Sequence, residues 1–334
     1  MTPMRVAVLG AGSWGTALAM QLARLDHDVR LWARDPDQAR QMQRQRVNQR
    51  YLPEFPLAEN ISVSSDLEQT LKDCQRILVV TPSHAFPDTL SALRQHVDQD
   101  IGLAWATKGF EPGSGRLLHE VVEETLGSDI PLALVTGPSF ARDVAAGLPT
   151  AVTVAASSPS FGEGWASMLH GAGFRAYYTA DLIGAELGGA VKNVLAVACG
   201  MADGMGLGAN TRAALITRGL AETMRLGKAL KADPRTLMGL AGIGDLVLTC
   251  TGDLSRNRRL GLALGRGQSI EQALAEIGQV VEGVKTAEET MRLAERMNVE
   301  MPITEQVHGI LFKGWSARKG VNVLMERDLK RETE

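Results

Sequence analysis

Lys192, followed by Asn193, lies in a largely apolar stretch, residues 185–196, that is rich in glycine and alanine and carries no other lysine. The stretch is interpreted as a helix packed among other apolar residues. A lysine in such a setting is costly to bury, and its pKa is easily shifted. Lys192 is therefore the first candidate proton donor, for instance at the end of a hydride transfer.

A glycine-rich loop near the N-terminus predicts a nucleotide site. Gly10, Gly12 and Gly15 fit G-x-G-x-x-G, directly after a strand-like run and before a helical pattern over residues 16–23. In this context the first glycine allows a tight turn, the second lets the backbone approach a pyrophosphate, and the third lets helix and strand pack closely. We therefore expect a dinucleotide, with its diphosphate at the N-terminus of the helix.

Four further residues of this region are candidate cofactor contacts or bear on the choice between NADP and NAD. Ser13 and Trp14 are expected to contact the pyrophosphate or ribose, although Trp14 could simply pack there. After the second predicted strand the chain places Arg34 and then Asp35. An arginine here can receive the 2′-phosphate of NADP, whereas a carboxylate typically holds the 2′-OH of NAD. NADPH or NADP is the preferred expectation, with NADH or NAD also possible; the alternative is that Arg34 is a solvated loop residue.

Composition and residue spacing argue against several classes of protein. The 334 residues suffice for two domains, and the net charge of -3 with 4% aromatic residues argues against nucleic-acid binding. The three cysteines lie far apart without a C-x-x-C, and no cluster has metal-ligand spacing, so we expect a reducing compartment and no metal. Without a signal peptide or a run of about 18 apolar residues, we expect a cytoplasmic protein with no membrane span.

Short β-rich runs alternate with helical patterns in the first half, which is typical of a parallel sheet covered by helices. After about residue 181 long apolar-periodic segments follow, broken by glycine clusters and prolines, which indicates an all-helical region. The prediction is an α/β fold, with a Rossmann domain over residues 1–181 and a helical substrate-binding domain over residues 182–334. The predicted strands are residues 5–9, 29–33, 77–80, 102–106, 132–135, 151–155 and 175–178, and helices of the second half include residues 211–230, 270–277 and 286–297.

Several short motifs continue along nearly the whole chain. Beyond the glycine loop and Lys192-Asn193 they are ATKG at residues 106–109, GPSFA at 137–141, GIGDL at 242–246, SRN at 255–257 and VVEG at 280–283. Each is short, but their joint order and spacing are specific. By these motifs the chain resembles the glycerol-3-phosphate dehydrogenases of the bacterial NAD(P)-dependent type. The resemblance implies a Rossmann domain followed by a helical domain, which agrees with the reading of the elements.

The resemblance also implies an activity. It is the interconversion of dihydroxyacetone phosphate and sn-glycerol 3-phosphate with NAD(P)H, in the direction that supplies phospholipid synthesis, by a homodimer. Lys192 would be the catalytic proton donor, and its ammonium would stabilise charge developing on the carbonyl oxygen. Asn193 would orient the substrate or the lysine.

The remaining site residues follow from the same motifs. Ser255, Arg256 and Asn257 would clamp the substrate phosphate, because arginine offers a planar fork and its neighbours add neutral donors. Asp245 could bind substrate hydroxyls, pair with Lys192, or merely cap a helix. The other implied substrate contacts are Lys108, Gly137 and Ser139, and the other implied cofactor contacts are Lys108, Ala141, Arg256, Val280 and Glu282.

Two alternative functions are considered. One is another two-domain hydride-transfer enzyme, of the β-hydroxyacid dehydrogenase or ketopantoate reductase kind. The SRN motif discriminates, since such a clamp is useful only if the substrate carries an anion at that end. The other is a catalytically silent NADP-binding sensor, which would keep the glycine loop but lose the proton donor and the clamp.

Overall fold

A computed structural model describes residues 2–329 and 331–332, so the outermost ends of the two predicted domains lie outside the described residues. The strands are β1 (Arg5–Leu9), β2 (Asp28–Trp32), β3 (Val47–Asn48), β4 (Leu52–Pro56), β5 (Ile61–Ser64), β6 (Arg76–Val79), β7 (Leu103–Trp105), β8 (Leu132–Thr136), β9 (Thr150–Ala156) and β10 (Phe174–Thr179). Eight of them form one sheet in the order β10-β9-β8-β7-β6-β1-β2-β5, and β3 pairs with β4 separately.

Helices cover both faces of the sheet. They are α1 (Ser13–Arg24), α2 (Pro36–Gln45), α3 (Leu67–Leu71), α4 (Phe86–Leu93), α5 (Leu118–Leu126), α6 (Ala141–Ala145) and α7 (Pro159–Leu169). Val6 and Val8 of β1 pack with α1, α2 and α7, whereas Ala7 and Leu9 pack on the opposite face with α4 and α5. The consecutive apolar residues of β1 are thus explained by burial on both faces.

The sheet is not parallel throughout, which corrects the sequence-based expectation for its last two strands. Neighbouring strands are parallel except β8 and β9, so β9 and β10 run opposite to the other six. The physical reason lies in the short helix of the connection after β8, residues 137–149. A parallel return needs a crossover of a dozen or more residues, usually a helix long enough to run back along the sheet. The five-residue α6 is too short for this, so β9 starts at the edge where β8 ends.

The sequence pattern does not indicate β3, β4 or β5. In β5 the only apolar residues are Ile61 and Val63, which alternate with serines, so it lacks the apolar run of the central strands. In β4, Pro53 and Pro56 argue against a strand, because proline cannot donate to a ladder. Both segments lie outside the middle of the main sheet, where such sequences are tolerated.

The second half is helical throughout its described residues, which confirms the predicted fold class. The helices are α8 (Leu182–Gly204), α9 (Gly208–Ala229), α10 (Pro234–Leu237), α11 (Asp245–Thr251), α12 (Arg256–Gly265), α13 (Ile270–Ile277), α14 (Glu282–Met297), α15 (Pro302–Phe312) and α16 (Ala317–Met325). α8 is long and apolar enough to cross a membrane, yet 89% of its most apolar window is buried inside the protein. It is the central helix, against which α9, α11, α12, α14 and α15 pack.

The closest helix pair is α8 with α12, and glycines make the approach possible. Gly200 and Gly204 of α8 face Gly261 and Gly265 of α12. A Cβ added at any of the four would collide with the backbone of the opposite helix. Because backbone atoms cannot rotate away, this contact fixes the position of α12, and with it the SRN motif, against the helix that carries Lys192.

We predict that Gly200→Ala lowers the free energy of unfolding by about 1–3 kcal/mol through overpacking, although alanine is the better helix former. Urea unfolding followed by circular dichroism measures the change. Gly164→Ala on α7 is the matched control, because its Cβ would meet nothing within 4 Å. Equal stability of the two variants would contradict the close-packing argument.

Candidate active site

The carboxyl ends of the parallel strands meet at one edge of the sheet, where ligands bind in open α/β folds. Residues that follow β1, β2, β6, β7 and β8 at this edge are Gly10, Arg34, Ser83, Lys108 and Gly137. The helical half contacts this edge through Asp245 and Glu282, which bind Lys108 and Ser83 respectively. Predicted site residues from both halves, among them Lys108, Asp245 and Glu282, are therefore brought to this edge of the sheet, and the junction of the edge with the helical half is called the crevice below.

A buried carboxylate bridges two lysines at the centre of this crevice. Lys192, on α8, donates to Oδ1 of Asp245 and, over 3.0 Å, to Oγ1 of Thr249. Lys108 donates to the other carboxylate oxygen of Asp245 over 2.7 Å and to the carbonyl oxygen of Gly137 over 3.2 Å. Asp245 is 1% exposed and Lys192 8% exposed. Two desolvated groups and the partly buried ammonium of Lys108 thus form one charged cluster.

The electrostatics of the cluster suit proton transfer. Burial lowers the pKa of the Lys192 ammonium to about 7, Asp245 opposes the shift, and the positive charge of Lys108 adds to it. Burial alone would raise the pKa of the Asp245 carboxyl, but the two lysines outweigh burial and hold that pKa below its ordinary value. Lys192 can therefore both give and take a proton near neutral pH, while Asp245 stays ionised.

Sequence reasoning missed Thr249. It lies on α11 four residues after Asp245, so both side chains share one face of that helix. Its hydroxyl donates to the Asp245 backbone carbonyl over 2.6 Å and accepts the bond from Lys192. The spacing of four residues was the available signal, but it acquires meaning only once Asp245 is known to lie beside the lysine.

Asn193 begins a second buried chain of hydrogen bonds. Its Oδ1 accepts from Nδ2 of Asn257 over 2.8 Å, and Oδ1 of Asn257 accepts from the backbone N–H of Gly283 over 2.9 Å. These contacts fix the orientation of both amides. Nδ2 of Asn193 is buried and has no partner among the described residues. A donor left free in this way, next to Lys192 in the chain, fits a ligand oxygen.

Residues of the SRN motif already make hydrogen bonds within the protein. The Ser255 hydroxyl accepts from the N–H of Arg258 over 3.2 Å and caps α12, and an Arg256 guanidinium nitrogen donates to the carbonyl of Val280 over 2.7 Å. Arg258 is buried and paired with Asp203 and an exposed aspartate, so it stabilises the helix contact. Within this segment Arg256 is the arginine that reaches the VVEG motif.

The GPSFA and VVEG motifs meet the same crevice. The Gly137 carbonyl accepts from Lys108 and, over 2.9 Å, from the hydroxyl of Ser139. Glu282, the first residue of α14, accepts from the Ser83 hydroxyl over 2.9 Å and so joins the helical half to the end of β6. Ala141 starts α6 directly after the Gly137 turn, and its side chain is half-buried.

The glycine loop has the geometry that a dinucleotide requires. A Cβ on Gly10, where φ is +124°, would lie 2.7 Å from the Val80 carbonyl oxygen, and one on Gly15 would overlap the Gly10 carbonyl. A Cβ on Gly12 would instead point into open space, with nothing within 4 Å. Gly12 is the N-cap of α1 and has no side chain to accept from the first N–H groups of the helix. The loop thus presents backbone donors to an anion.

Residues around the glycine loop differ in how far they are buried and in whether they already have hydrogen-bond partners. Ser13 and Trp14 are half-buried in the first turn of α1, and Nε1 of Trp14 is buried without a partner among the described residues. Arg34 is exposed after β2. Asp35 caps α2 by accepting from the N–H groups of residues 37 and 38. Both side chains are exposed, and one oxygen of the Asp35 carboxylate, Oδ1, already serves the helix.

Comparison with known proteins agrees with this geometry. A model of the NAD-dependent glycerol-3-phosphate dehydrogenase N-terminus matches residues 5–162, and one of the C-terminus matches residues 181–322. The chain belongs to this family. It is 56% identical over 331 residues, 99% of the chain and 97% of the relative, to glycerol-3-phosphate dehydrogenase (NAD(P)+) of Stenotrophomonas maltophilia. A crystal structure of glycerol-3-phosphate dehydrogenase from Coxiella burnetii matches with a TM-score of 0.94 at 47% identity, covering 97% of this chain and 99% of that one.

Membership of the glycerol-3-phosphate dehydrogenase family confirms the resemblance seen in the motifs and the assignment to NAD(P)-dependent oxidoreductases. The alternative enzyme class shares the fold alone. A ketopantoate reductase from Ralstonia eutropha aligns with a TM-score of 0.60 at 16% identity, covering 95% of this chain and 100% of that one. Similarity at that level carries no statement about substrate.

We predict that Gly12→Ala folds normally but binds NADPH more weakly, because its methyl group meets no protein atom and would occupy the space left for the diphosphate. Thermal unfolding and NADPH fluorescence titration measure the two properties. Gly15→Ala is the contrasting variant: its methyl group would overlap the Gly10 carbonyl, so its melting temperature should fall. A Gly12→Ala protein with unchanged NADPH affinity would contradict the assignment of the loop.

Proposed function

We propose that this protein reduces dihydroxyacetone phosphate to sn-glycerol 3-phosphate with NAD(P)H, and catalyses the reverse oxidation. The observation that carries the proposal is the buried Lys192–Asp245–Lys108 cluster at the sheet edge that also presents the glycine loop. Ketone reduction requires a held hydride donor, a proton for the developing alkoxide, and positive charge near that oxygen. The arrangement supports all three.

A nicotinamide dinucleotide, when bound, would supply the hydride. Gly10, Gly12, Gly15, Ser13 and Trp14 are proposed to hold its diphosphate and ribose. The side chains that we propose to contact it from elsewhere in the crevice are Lys108, Ala141, Arg256, Val280 and Glu282.

Lys192 is the proposed proton donor in reduction and the base in oxidation. A group with a pKa of about 7 exchanges protons readily at neutral pH. The Lys108 ammonium, held on the other oxygen of Asp245, adds positive charge for the developing alkoxide. Asn193, whose Nδ2 has no partner in the described part of the chain, is proposed to orient the substrate by donating to one of its oxygens.

Recognition of the substrate phosphate is assigned to Ser255, Arg256 and Asn257. A guanidinium group forms paired, charge-assisted hydrogen bonds with phosphate oxygens, and the N-terminus of α12 favours an anion. We propose that Gly137 and Ser139 contact the triose from the opposite side of the crevice. An unphosphorylated ketone would leave the Arg256 side of the site unused.

NADP is the proposed preferred cofactor, with NAD as a weaker substitute. Exposed Arg34 can receive a 2′-phosphate, and the capping role of Asp35 supports this choice because its Oδ1 already accepts two backbone N–H groups. The proposal extends to a homodimer that works in the cytoplasm and supplies glycerol 3-phosphate for phospholipid synthesis. We further propose a domain boundary at residue 181, whose carboxylate caps α8.

The decisive experiment follows oxidation of NADPH with dihydroxyacetone phosphate and, separately, with unphosphorylated dihydroxyacetone, repeated with NADH. We expect rapid turnover with the phosphorylated ketone alone and a higher kcat/KM with NADPH. Lys192→Met should abolish turnover while leaving NADPH binding nearly intact. Turnover retained by Lys192→Met would remove Lys192 from the mechanism, and no turnover of either ketone by the wild type would overturn the proposed function.

The pH dependence of the reaction rates should follow the protonation of the Lys192 amine. Reduction needs the protonated amine, so its rate should fall as pH rises through about 7, and oxidation, which needs the neutral amine, should rise over the same range. Since Asp245 raises the pKa of Lys192, Asp245→Asn should move the falling limb of reduction to lower pH. Asp253→Asn, whose side chain is 95% exposed, is the matched control and should leave the limb in place. An unmoved limb in Asp245→Asn would disprove the coupling.

A further inference from the structure

The helical half contacts the segment that carries Lys108 at several points, and three of its carboxylates bind that segment. We define the connector as residues 106–119, which leave β7, contain Lys108 near the start and enter α5 at the end. Asp245 binds its beginning, and two other buried carboxylates, Glu289 and Glu186, bind its middle and its end. Neither of these two belongs to a motif that the proposed function uses.

Glu289 of α14 holds the middle of the connector. Its Oε1 accepts from the backbone N–H of Gly113 over 2.7 Å, and Arg292, one turn further along α14, donates to the Gly113 carbonyl over 2.6 Å. Glu289 is 4% exposed. A Cβ on Gly115 would lie 2.8 Å from the Glu289 carbonyl oxygen, so the backbone of the connector lies directly against α14.

Glu186 of α8 holds the end of the connector. Its Oε1 accepts from the backbone N–H of His119 over 3.0 Å, and its Oε2 binds Nδ1 of the same histidine. Glu186 is 5% exposed and lies on the helix that also carries Lys192. Movement of the His119 end against α8 would therefore break two hydrogen bonds to a buried carboxylate.

Burying a carboxylate is costly unless its hydrogen bonds are made in the folded state. Both oxygens of Glu186 make such bonds, whereas Glu289 makes one through Oε1 and its Oε2 lies 3.9 Å from Nε of Arg292. Apolar contact already attaches the connector, because Phe110 and Leu117 lie in the core of the helical half. Apolar packing is non-directional, whereas bonds from backbone N–H groups to fixed carboxylate oxygens define both position and orientation. The two glutamates therefore add alignment to a segment that is already attached.

We infer that Glu289 and Glu186 are positioning residues, which set the place of the Lys108 ammonium relative to Lys192 by holding the connector against α14 and α8. The inference rests on the proposed function, because the consequence of misplacing Lys108 appears in the chemical step. Small displacements of a positioned group reduce rates strongly even when the altered residue lies outside the reacting centre.

The test is a double-mutant cycle on kcat/KM for dihydroxyacetone phosphate with NADPH, combining Glu289→Ala with Lys108→Ala. Glu289→Ala alone should lower kcat/KM by about 10- to 100-fold, mostly through kcat. In the Lys108→Ala background it should cost little more, since the group that it positions is gone. Hydrogen exchange at the Gly113 amide, read by NMR, should speed up in Glu289→Ala independently of activity.

Two variants separate positioning from general damage. Glu289→Gln keeps an oxygen that can accept from Gly113 and should restore most of the activity. Glu295→Ala removes an exposed carboxylate of the same helix and should behave as wild type. The cycle is repeated with Glu186→Gln and Glu186→Ala.

Losses that multiply in the double variant, or unchanged exchange at Gly113, would overturn the positioning role while wild-type turnover left the proposed function standing. Lack of turnover by the wild type would overturn the proposed function, and the positioning role with it.

Discussion

The Asp245 carboxylate, shared between Lys192 and Lys108, is the interaction on which the active site depends. Two ammonium groups could not be buried side by side without it, because the desolvation cost and their mutual repulsion would add. With it, the cluster keeps a single net positive charge and a lysine that titrates near neutral pH. The bridge also crosses the crevice, since Lys108 comes from the sheet and Asp245 and Lys192 from the helices. The same ion pairs that balance the charge of the cluster therefore also join the sheet half to the helical half.

α8 holds Lys192 in place because this helix is buried on almost every side. Its small residues let α12 approach to backbone contact, and its polar side chains bind several neighbouring elements. Glu186 binds the connector, Lys192 binds α11, and Asp203 binds Arg258 of α12. A helix anchored along its length has little freedom to turn, so the direction in which Lys192 points is set by packing far from the chemistry.

Sequence could predict the residues whose type is determined by the backbone within a few neighbouring positions. Gly10, Gly12 and Gly15 follow from backbone geometry within six residues, and the strand β1 shows its burial in its own apolar run. Most partners distant in sequence were beyond such reasoning; the pairing of Asp245 with Lys192, which the structure shows, was one of three roles considered for that residue. Thr249 lies 57 residues from Lys192, and Glu289 lies 176 residues from Gly113. The direction of β9 was missed for a related reason, since it depends on whether the preceding helix can cross the sheet.

The division of residues between the two halves limits what either could do alone. The sheet supplies the glycine loop, Lys108 and the Gly137 carbonyl, whereas the helices supply Lys192, Asp245 and the SRN motif. The pKa of Lys192 itself depends on Lys108, which comes from the other half. The sheet half carries the glycine loop but not Lys192, the proposed proton donor. If the proposed roles hold, activity depends on the alignment of the two halves, and the buried carboxylates Asp245, Glu186 and Glu289 are the groups proposed to maintain that alignment.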